Sequence, residues 1–413
     1  MHGVARALVA TLLLLPLLRP GRSDAIDRLE ADETVSQLLV TRPSDVAPET
    51  AATRRWALLP QLGYGPDTGA VAGLKFTDRD LLDSGATLDL DGVYATEGQQ
   101  SYAVTLGSPF LVDNRILLLT RAYYFLDPQR EFFGLGNNDQ GSDPASTNAI
   151  EDFGGWITLG WRPLERLAFD LQLGARHVRI SNGKRKGNTP FTPERFPDLT
   201  GIDGGLVVPL GLSLVWNNRD DLLRPTRGWR TILKVLHANP AWGSDFELTQ
   251  FIVDLGYLRS FFDDKIVLAL RLNGEYIDAP DGSADIPFWE LTELGGDDTL
   301  RGFFPYRFLG TSRVLLNAEV RFPIVDFDFF GLWQVDLDGV AFADSGRVFI
   351  SDSDLREEFS PDDQLLSRIL SDFQYDYGGG LRIKLSDALV ARIDVGFSDE
   401  ETALLYLEFG QTF

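Results

Sequence analysis

Residues 389–397 read Leu389-Val390-Ala391-Arg392-Ile393-Asp394-Val395-Gly396-Phe397. Leu389, Ala391, Ile393, Val395 and Phe397 share one parity, and Val390, Arg392, Asp394 and Gly396 share the other. Successive side chains of a strand point to opposite faces, so this stretch predicts a strand with a dry side and a wet side. Residues 87–94 repeat the rhythm, with Leu88, Leu90, Gly92 and Tyr94 against Asp89, Asp91 and Val93.

Working outward, the same period predicts strands near 56–65, 69–77, 85–96, 99–110, 115–126, 152–162, 166–180, 204–218, 228–239, 245–261, 265–277, 311–323, 331–349, 373–385, 387–398 and 402–413. Many match or exceed the roughly 9–11 residues that cross a bilayer at a tilt. The connections sort by parity. Those after even-numbered strands are mostly short, such as 111–114, 163–165 and Ser386, whereas 127–151, 181–203, 278–310 and 350–372 follow odd-numbered ones. A bacterial barrel has short periplasmic turns and long outer loops, while a soluble sandwich has no reason to segregate loop length by parity. The fold class predicted is all-β: a transmembrane antiparallel β-barrel of about 16 strands. Aromatics near strand ends are expected to form interface girdles, among them Trp216, Trp229, Tyr123, Tyr124 and Phe125.

The ends and the composition agree with export to a bilayer. Residues 1–6 carry Arg6, residues 7–18 are apolar, and Ser23 and Ala25 are small residues at the spacing a signal peptidase reads. This is a secretory leader with cleavage near Ala25, because its apolar run is shorter than a spanning helix requires. Residues 26–55 read as a polar periplasmic linker and 56–413 as the barrel. The later apolar run at 206–216 is broken by Pro209 and Gly211, so no helix-length span is available. The chain is nonetheless 44% hydrophobic, with Gly 40 and Phe 28, too apolar for disorder. A formal charge of -23, from 38 Lys+Arg against 61 Asp+Glu, argues against nucleic acid as a partner. Cys 0 excludes disulfides and thiolate metal sites, and His177 and His237 lack partners at metal-ligand spacing, so no metal or cofactor is expected. No nucleophile elbow, P-loop or histidine beside a nucleophilic serine is present, so no enzyme is expected.

The segment Glu293-Leu294-Gly295-Gly296-Asp297-Asp298-Thr299-Leu300-Arg301-Gly302-Phe303 lies in the long loop before 311–323. Parity puts Val314, Leu316, Ala318, Val320 and Phe322 on the apolar face, so Glu319 points inward with Asn317 and Arg321. In Phe342-Ala343-Asp344-Ser345-Gly346, Asp344 shares parity with Asp336 and Asp338 and is also a lumen residue. Asn218-Arg219-Asp220-Asp221 precedes Arg224-Pro225-Thr226-Arg227-Gly228, residues 378–382 are glycine-rich, and the chain ends Phe409-Gly410-Gln411-Thr412-Phe413.

These motifs, in this order, resemble the BamA/TamA-type bacterial surface antigen family, which includes the two-partner secretion transporters. The resemblance is clear over 200–413, and residues 60–69 look similar to first strands of short members. It implies a long extracellular loop folded into the lumen, with Arg301, Gly302 and Phe303 as its anchoring motif and Glu319 and Asp344 as partners of Arg301. A planar guanidinium can serve two carboxylates at once. It likewise implies a periplasmic turn motif at Arg219, Asp220, Pro225 and Gly228. Phe409 and Phe413 would be the C-terminal insertion signal read by the outer-membrane assembly machinery, although Gln411 departs from the apolar preference there. Residues 26–55 are too short for a POTRA domain, so a short member lacking POTRA domains is expected.

The function implied is assistance to insertion or translocation of proteins, or lipids, at the outer membrane of a Gram-negative bacterium. A lateral seam would be the working part, with Pro60, Gly63 and Gly65 either weakening the first strand or only permitting barrel curvature. Outer-membrane lipid and a polypeptide or lipid client are the expected partners. The alternative is a passive or plugged pore, a structural barrel without insertase activity.

Overall fold

The structure, a computed structural model, describes residues 55–409 apart from 138–140, 142, 186, 222–223, 330–332, 354–355, 357–358, 360–367, 369–371 and 386–388. The expected leader, the expected linker up to residue 54 and Phe413 lie outside the described residues. Among the described residues nineteen strands run β1 (Trp56–Gly65), β2 (Gly69–Leu81), β3 (Ala86–Ala95), β4 (Gln100–Gly107), β5 (Ile116–Phe132), β6 (Ser146–Leu164), β7 (Leu167–Ser181), β8 (Gly205–Val207), β9 (Pro209–Asn217) and β10 (Gly228–Ala238). They continue β11 (Leu248–Phe261), β12 (Ile266–Asp278), β13 (Thr292–Leu294), β14 (Phe308–Gly310), β15 (Ser312–Phe329), β16 (Trp333–Phe349), β17 (Gln374–Leu385), β18 (Leu389–Phe397) and β19 (Leu404–Phe409).

β8 and β9 form a single stave. Val207 pairs with Arg176 and Leu210 with Leu173, in unbroken register across Val208 and Pro209, where proline lacks an N–H for the ladder. β13 and β14 form a separate hairpin inside the loop. The other strands, each antiparallel to its neighbours, close into a barrel of sixteen staves when β19 returns to β1. Closure follows from the solvent, since only a sheet without edges satisfies every backbone group in hydrocarbon.

The alternation has the predicted sense. From the short 165–166 turn outward, β7 exposes Phe169, Leu171, Leu173, Ala175 and then Arg179, with half-buried His177 between the last two. Its other parity buries Ala168, Asp170, Gln172 and Arg176. Eight residue steps from Phe169 to His177, at roughly 3.4 Å each and a tilt of about 40°, give an apolar belt of roughly 20 Å. Aromatic pairs mark its two rims. Trp161 and Phe169 (5.7 Å between centroids) and Trp229 and Tyr257 (4.3 Å) lie toward the short turns. Tyr102 and Tyr124 (6.3 Å) and Phe153 and His177 (5.0 Å) lie toward the long loops. Among the described residues no helix is long and apolar enough to cross a membrane.

Two expectations change. Of the aromatics before the first long loop, only Tyr124 faces out. The Tyr123 hydroxyl donates to Asp152 in the lumen (3.1 Å), and Phe125 joins an apolar cluster under the outer loops. Adjacent aromatics in a strand cannot share a face, so the girdle reading fails for two of the three. The expected loop 127–151 is strand at both ends: β5 and β6 continue as a hairpin to Phe132 and Ser146, past an irregularity between Asp127 and Arg130. Pro128 interrupts that ladder without ending it.

The outer mouth is roofed. Phe132, Phe288, Trp289 and Leu291 pack with Ile150, Val178 and Leu248 of the wall, and Phe196 and Leu199 lie against them.

Leu272→Arg, at an exposed mid-belt position on β12, is expected to lower folding stability in lipid vesicles by about 2–4 kcal/mol. Leu82→Arg, in a short turn, is expected to change it by about 0–1 kcal/mol. Urea titration of both variants in vesicles checks the depth dependence, and equal losses would contradict the belt assignment.

Candidate functional site

The site is built on the loop between β12 and β15, which turns back into the barrel. Its backbone is shaped locally: the Gly295 N–H donates to Thr299 Oγ1 (2.8 Å), whose hydroxyl returns a bond to the Gly295 carbonyl (2.9 Å). The Gly296 N–H donates to the Phe303 carbonyl (3.0 Å), closing the turn that presents Arg301. Leu294, Leu300, Phe303 and Phe308 pack with Leu315 and Val348 of the wall, seating the apolar side of the loop.

Arg301 is wholly buried and sits between two strands' carboxylates. Its Nε and one terminal nitrogen donate to the two oxygens of Asp344 on β16 (2.7 and 2.8 Å), and the other donates to Glu319 Oε1 on β15 (2.6 Å). Its guanidinium carbon lies 3.5 Å from the ring centroid of Phe342, so the Phe-x-Asp segment supplies both a π face and a carboxylate. Asp344 also accepts from Asn317 (2.9 Å), while Glu319 accepts from Arg321 (2.8 Å) and Arg382 (3.1 Å).

Gly302 is needed for close approach. A Cβ there would stand 2.6 Å from the Asp376 Cβ and 2.7 Å from the Phe397 carbonyl. Across the contact, a Cβ on Gly396 would stand 2.2 Å from the Arg301 carbonyl. Loop and wall therefore meet backbone to backbone, and the Ser398 hydroxyl bonds the Gly302 carbonyl (2.6 Å).

Sequence reasoning missed how far the loop is tied to the last hairpin. Arg307, also wholly buried, makes a forked pair with Glu400 between β18 and β19 (2.6 Å for each bond). Arg392 on β18 donates to Asp298 (3.1 Å), to Asp297, and to Glu408 on β19 (3.1 Å). The Tyr406 hydroxyl donates to the Phe303 carbonyl (3.2 Å). Parity marks Arg392 and Asp394 as wet, but nothing in a local pattern says which loop acids meet them. On the other flank, Arg271 donates to the Asp298 carbonyl (3.0 Å) and Arg313 to the Glu293 carbonyl (2.6 Å).

The turn motif lies at the opposite end of the barrel. Arg219 donates through its backbone N–H (3.1 Å) and Nε (3.2 Å) to Asn217, Pro225 is buried, and Gly228 takes a φ of 121°. Asp220 organises the turn, accepting from the Thr226 and Arg227 N–H groups (2.9 and 3.1 Å) and the Thr226 hydroxyl (2.5 Å). Burial pushes its carboxyl up, and those hydrogen bonds together push harder the other way, leaving it below the usual aspartate range. Arg224, not singled out from sequence, reaches β16, where its Nε donates to Asp338 (2.7 Å) and a terminal nitrogen lies 3.6 Å from Asp336. The C-terminal signal is only partly in view. Phe409 ends β19, while its side chain and Phe413 lie outside the described residues.

Comparison with known proteins gives the same architecture. The Omp85 superfamily domain matches residues 67–413. BamA from Haemophilus ducreyi lacking POTRA domains 1-3 superposes with a TM-score of 0.63 at 16% identity, over 87% of this chain and 70% of that one. CdiB from Escherichia coli gives 0.57 at 11% identity, over 87% of this chain and 64% of its own. CdiB from Acinetobacter baumannii gives 0.53 at 11% identity, over 86% and 60%.

Arg301→Ala is expected to cost about 3–5 kcal/mol, because it strips Asp344 of its forked partner and leaves Glu319 one donor short. The readout is a lower temperature for loss of the compact band on gels and faster proteolysis within 295–307. Arg301→Lys keeps the charge without the fork and restores only part of the loss. Asp220→Asn removes a stabilisation that is fully present above the unfolded aspartate pKa of about 3.9 and fades as pH falls through the lower folded value. Wild type is therefore more stable than the variant at neutral pH, and urea titrations should converge on strong acidification.

Proposed function

The chain belongs to the Omp85 superfamily, and we propose that this barrel assists insertion or translocation of polypeptides, or of lipids, at the outer membrane through a lateral seam between β1 and β19. The observation that carries the reading is the asymmetry of pairing around β1. Over residues 62–65, whose antiparallel partners on β19 fall at 406–409 within the described residues, β1 has four register pairs with β2, from Leu62↔Ala72 to Gly65↔Gly69, and one with β19, Tyr64↔Leu407. A thinly paired strand offers N–H and C=O groups to an incoming strand, which is recognition by β-augmentation. Pro60, Gly63 and Gly65 lie on this strand, where a missing donor and missing side chains weaken pairing. No covalent chemistry is part of the proposal. The loop stays with the C-terminal side of the seam through Arg307, Arg392 and Tyr406, so the edge that can move is β1 with β2.

A second reading is supported by the roofed mouth and the filled lumen: a plugged structural barrel that serves no client. One experiment separates the two. Tyr64 and Leu407 face each other in register, and opposed antiparallel residues have Cα atoms about 4.5–5.5 Å apart, within disulfide reach. The chain has Cys 0, so a Tyr64→Cys/Leu407→Cys pair is the sole thiol pair. Oxidation is expected to abolish insertion of a urea-unfolded eight-stranded barrel into vesicles carrying the protein, and reductant should restore it. Full activity in the locked form would reject the seam.

A further inference from the structure

The lipid-facing wall is not uniform. Five adjacent staves, β6, β7, β8–β9, β10 and β11, carry two neighbouring outward rows set by the register. One row runs from Trp161 to Val253 through Leu233, and the other from Leu159 to Phe251 through Leu212. These rows line a hollow of about 590 Å³ on the outer surface. Its floor passes over Asp170, Ser213 and Lys234, whose side chains are buried on the inward parity. Behind the floor, Leu117 and Leu119 of β5 pack with Ala168, Val215, Ile232 and Ile252, an apolar cluster within an otherwise polar set of inward residues. An apolar inward cluster thus backs the wall beneath the hollow.

Its shape selects the occupant. Four inter-strand spacings of about 4.8 Å make it roughly 19 Å long, and rows two residues apart along the strands stand roughly 7 Å apart. A helix is about 10–12 Å across and too wide to enter. A β-strand has no free edge to pair with, because all five staves lie inside the sheet. An extended hydrocarbon chain matches both the width and the wholly apolar rows. The trough starts at the Trp161–Phe169 stack by the short turns and ends at Phe251, which packs on Tyr276 near the long loops. Just below its lower end, the turn at 165–166 exposes Arg166, at the depth of the periplasmic-leaflet headgroups. The β9 stave is the eighth of sixteen, so the trough lies opposite the β1–β19 junction.

We propose that this trough is a binding site for one acyl chain of a periplasmic-leaflet glycerophospholipid, whose phosphate meets Arg166. The chain lies obliquely across the five staves, and Glu165 beside Arg166 favours a zwitterionic or mono-anionic headgroup over a multiply charged one.

The test is native mass spectrometry of the detergent-purified full chain with added phosphatidylethanolamine, phosphatidylglycerol or lipopolysaccharide. Wild type is expected to retain one glycerophospholipid. Leu212→Trp/Leu233→Trp fills the trough and should lower retention about tenfold, and Arg166→Glu should lower it severalfold. Heat-modifiability verifies folding, and if the double variant fails it, Leu212→Phe replaces it. Quenching by chain-brominated phosphatidylglycerol is then compared between wild type and Trp161→Phe, and loss of quenching in Trp161→Phe supports the site. Equal retention by a folded, filled variant, unchanged quenching in Trp161→Phe, or retention of lipopolysaccharide alone would overturn it. The Tyr64→Cys/Leu407→Cys protein is expected to retain lipid whether oxidised or reduced, so a failed seam leaves this result intact.

Discussion

A backbone inside hydrocarbon finds no water for its N–H and C=O groups, and every other feature of this chain is arranged around that fact. The sheet must close, so each stave has one face toward lipid and one toward a narrow interior. The outward face takes Leu171, Leu173, Leu212 and Leu316, and the inward face takes Asp170, Asp254, Glu319 and Arg382. What closure gives to the backbone it takes from the inward side chains, which lose much of their own water. They answer by pairing. Asp254, for example, accepts from Arg230 and Arg271 (2.7 Å each) and from Asn273 (3.0 Å).

The inward loop completes that pairing. Arg301, Arg307, Arg313, Arg382 and Arg392 are among the largest fully buried side chains, an unusual population for the inside of any fold. Buried ion pairs are poor sources of stability, because desolvation offsets most of their attraction. They are good at specifying position, since a guanidinium displaced by a few ångströms leaves two charges unpaired. The loop is accordingly fixed to particular staves: Asp344 and Glu319 hold Arg301, Glu400 holds Arg307, and Arg392 gathers Asp297, Asp298 and Glu408.

The barrel was legible because the alternation is a local property. All sixteen staves fall where period two and loop parity place them, and Glu319 and Asp344 face inward as their neighbours' parity requires. What was hidden needs three dimensions. Tyr123 and Phe125 fail as girdle residues because adjacency in sequence was read without parity. The β5–β6 hairpin outruns its expected end because its ladder resumes past the irregularity between Asp127 and Arg130, and a ladder beyond the membrane tolerates a bulge. Arg224–Asp338 and Arg307–Glu400 join residues 114 and 93 positions apart, and no short window contains both members.

The loop's anchors also dictate an order of assembly. Arg301 finds Glu319 and Asp344 only 18 and 43 residues onward, and Arg307 finds Glu400 after 93, all toward the C-terminus. Short closures cost less chain entropy than long ones. The C-terminal third can therefore consolidate around the arginines as a curved half-shell while the N-terminal staves are still being added. Joining Tyr64 to Leu407 spans nearly the whole polypeptide, so it is the last and entropically most expensive union the chain makes.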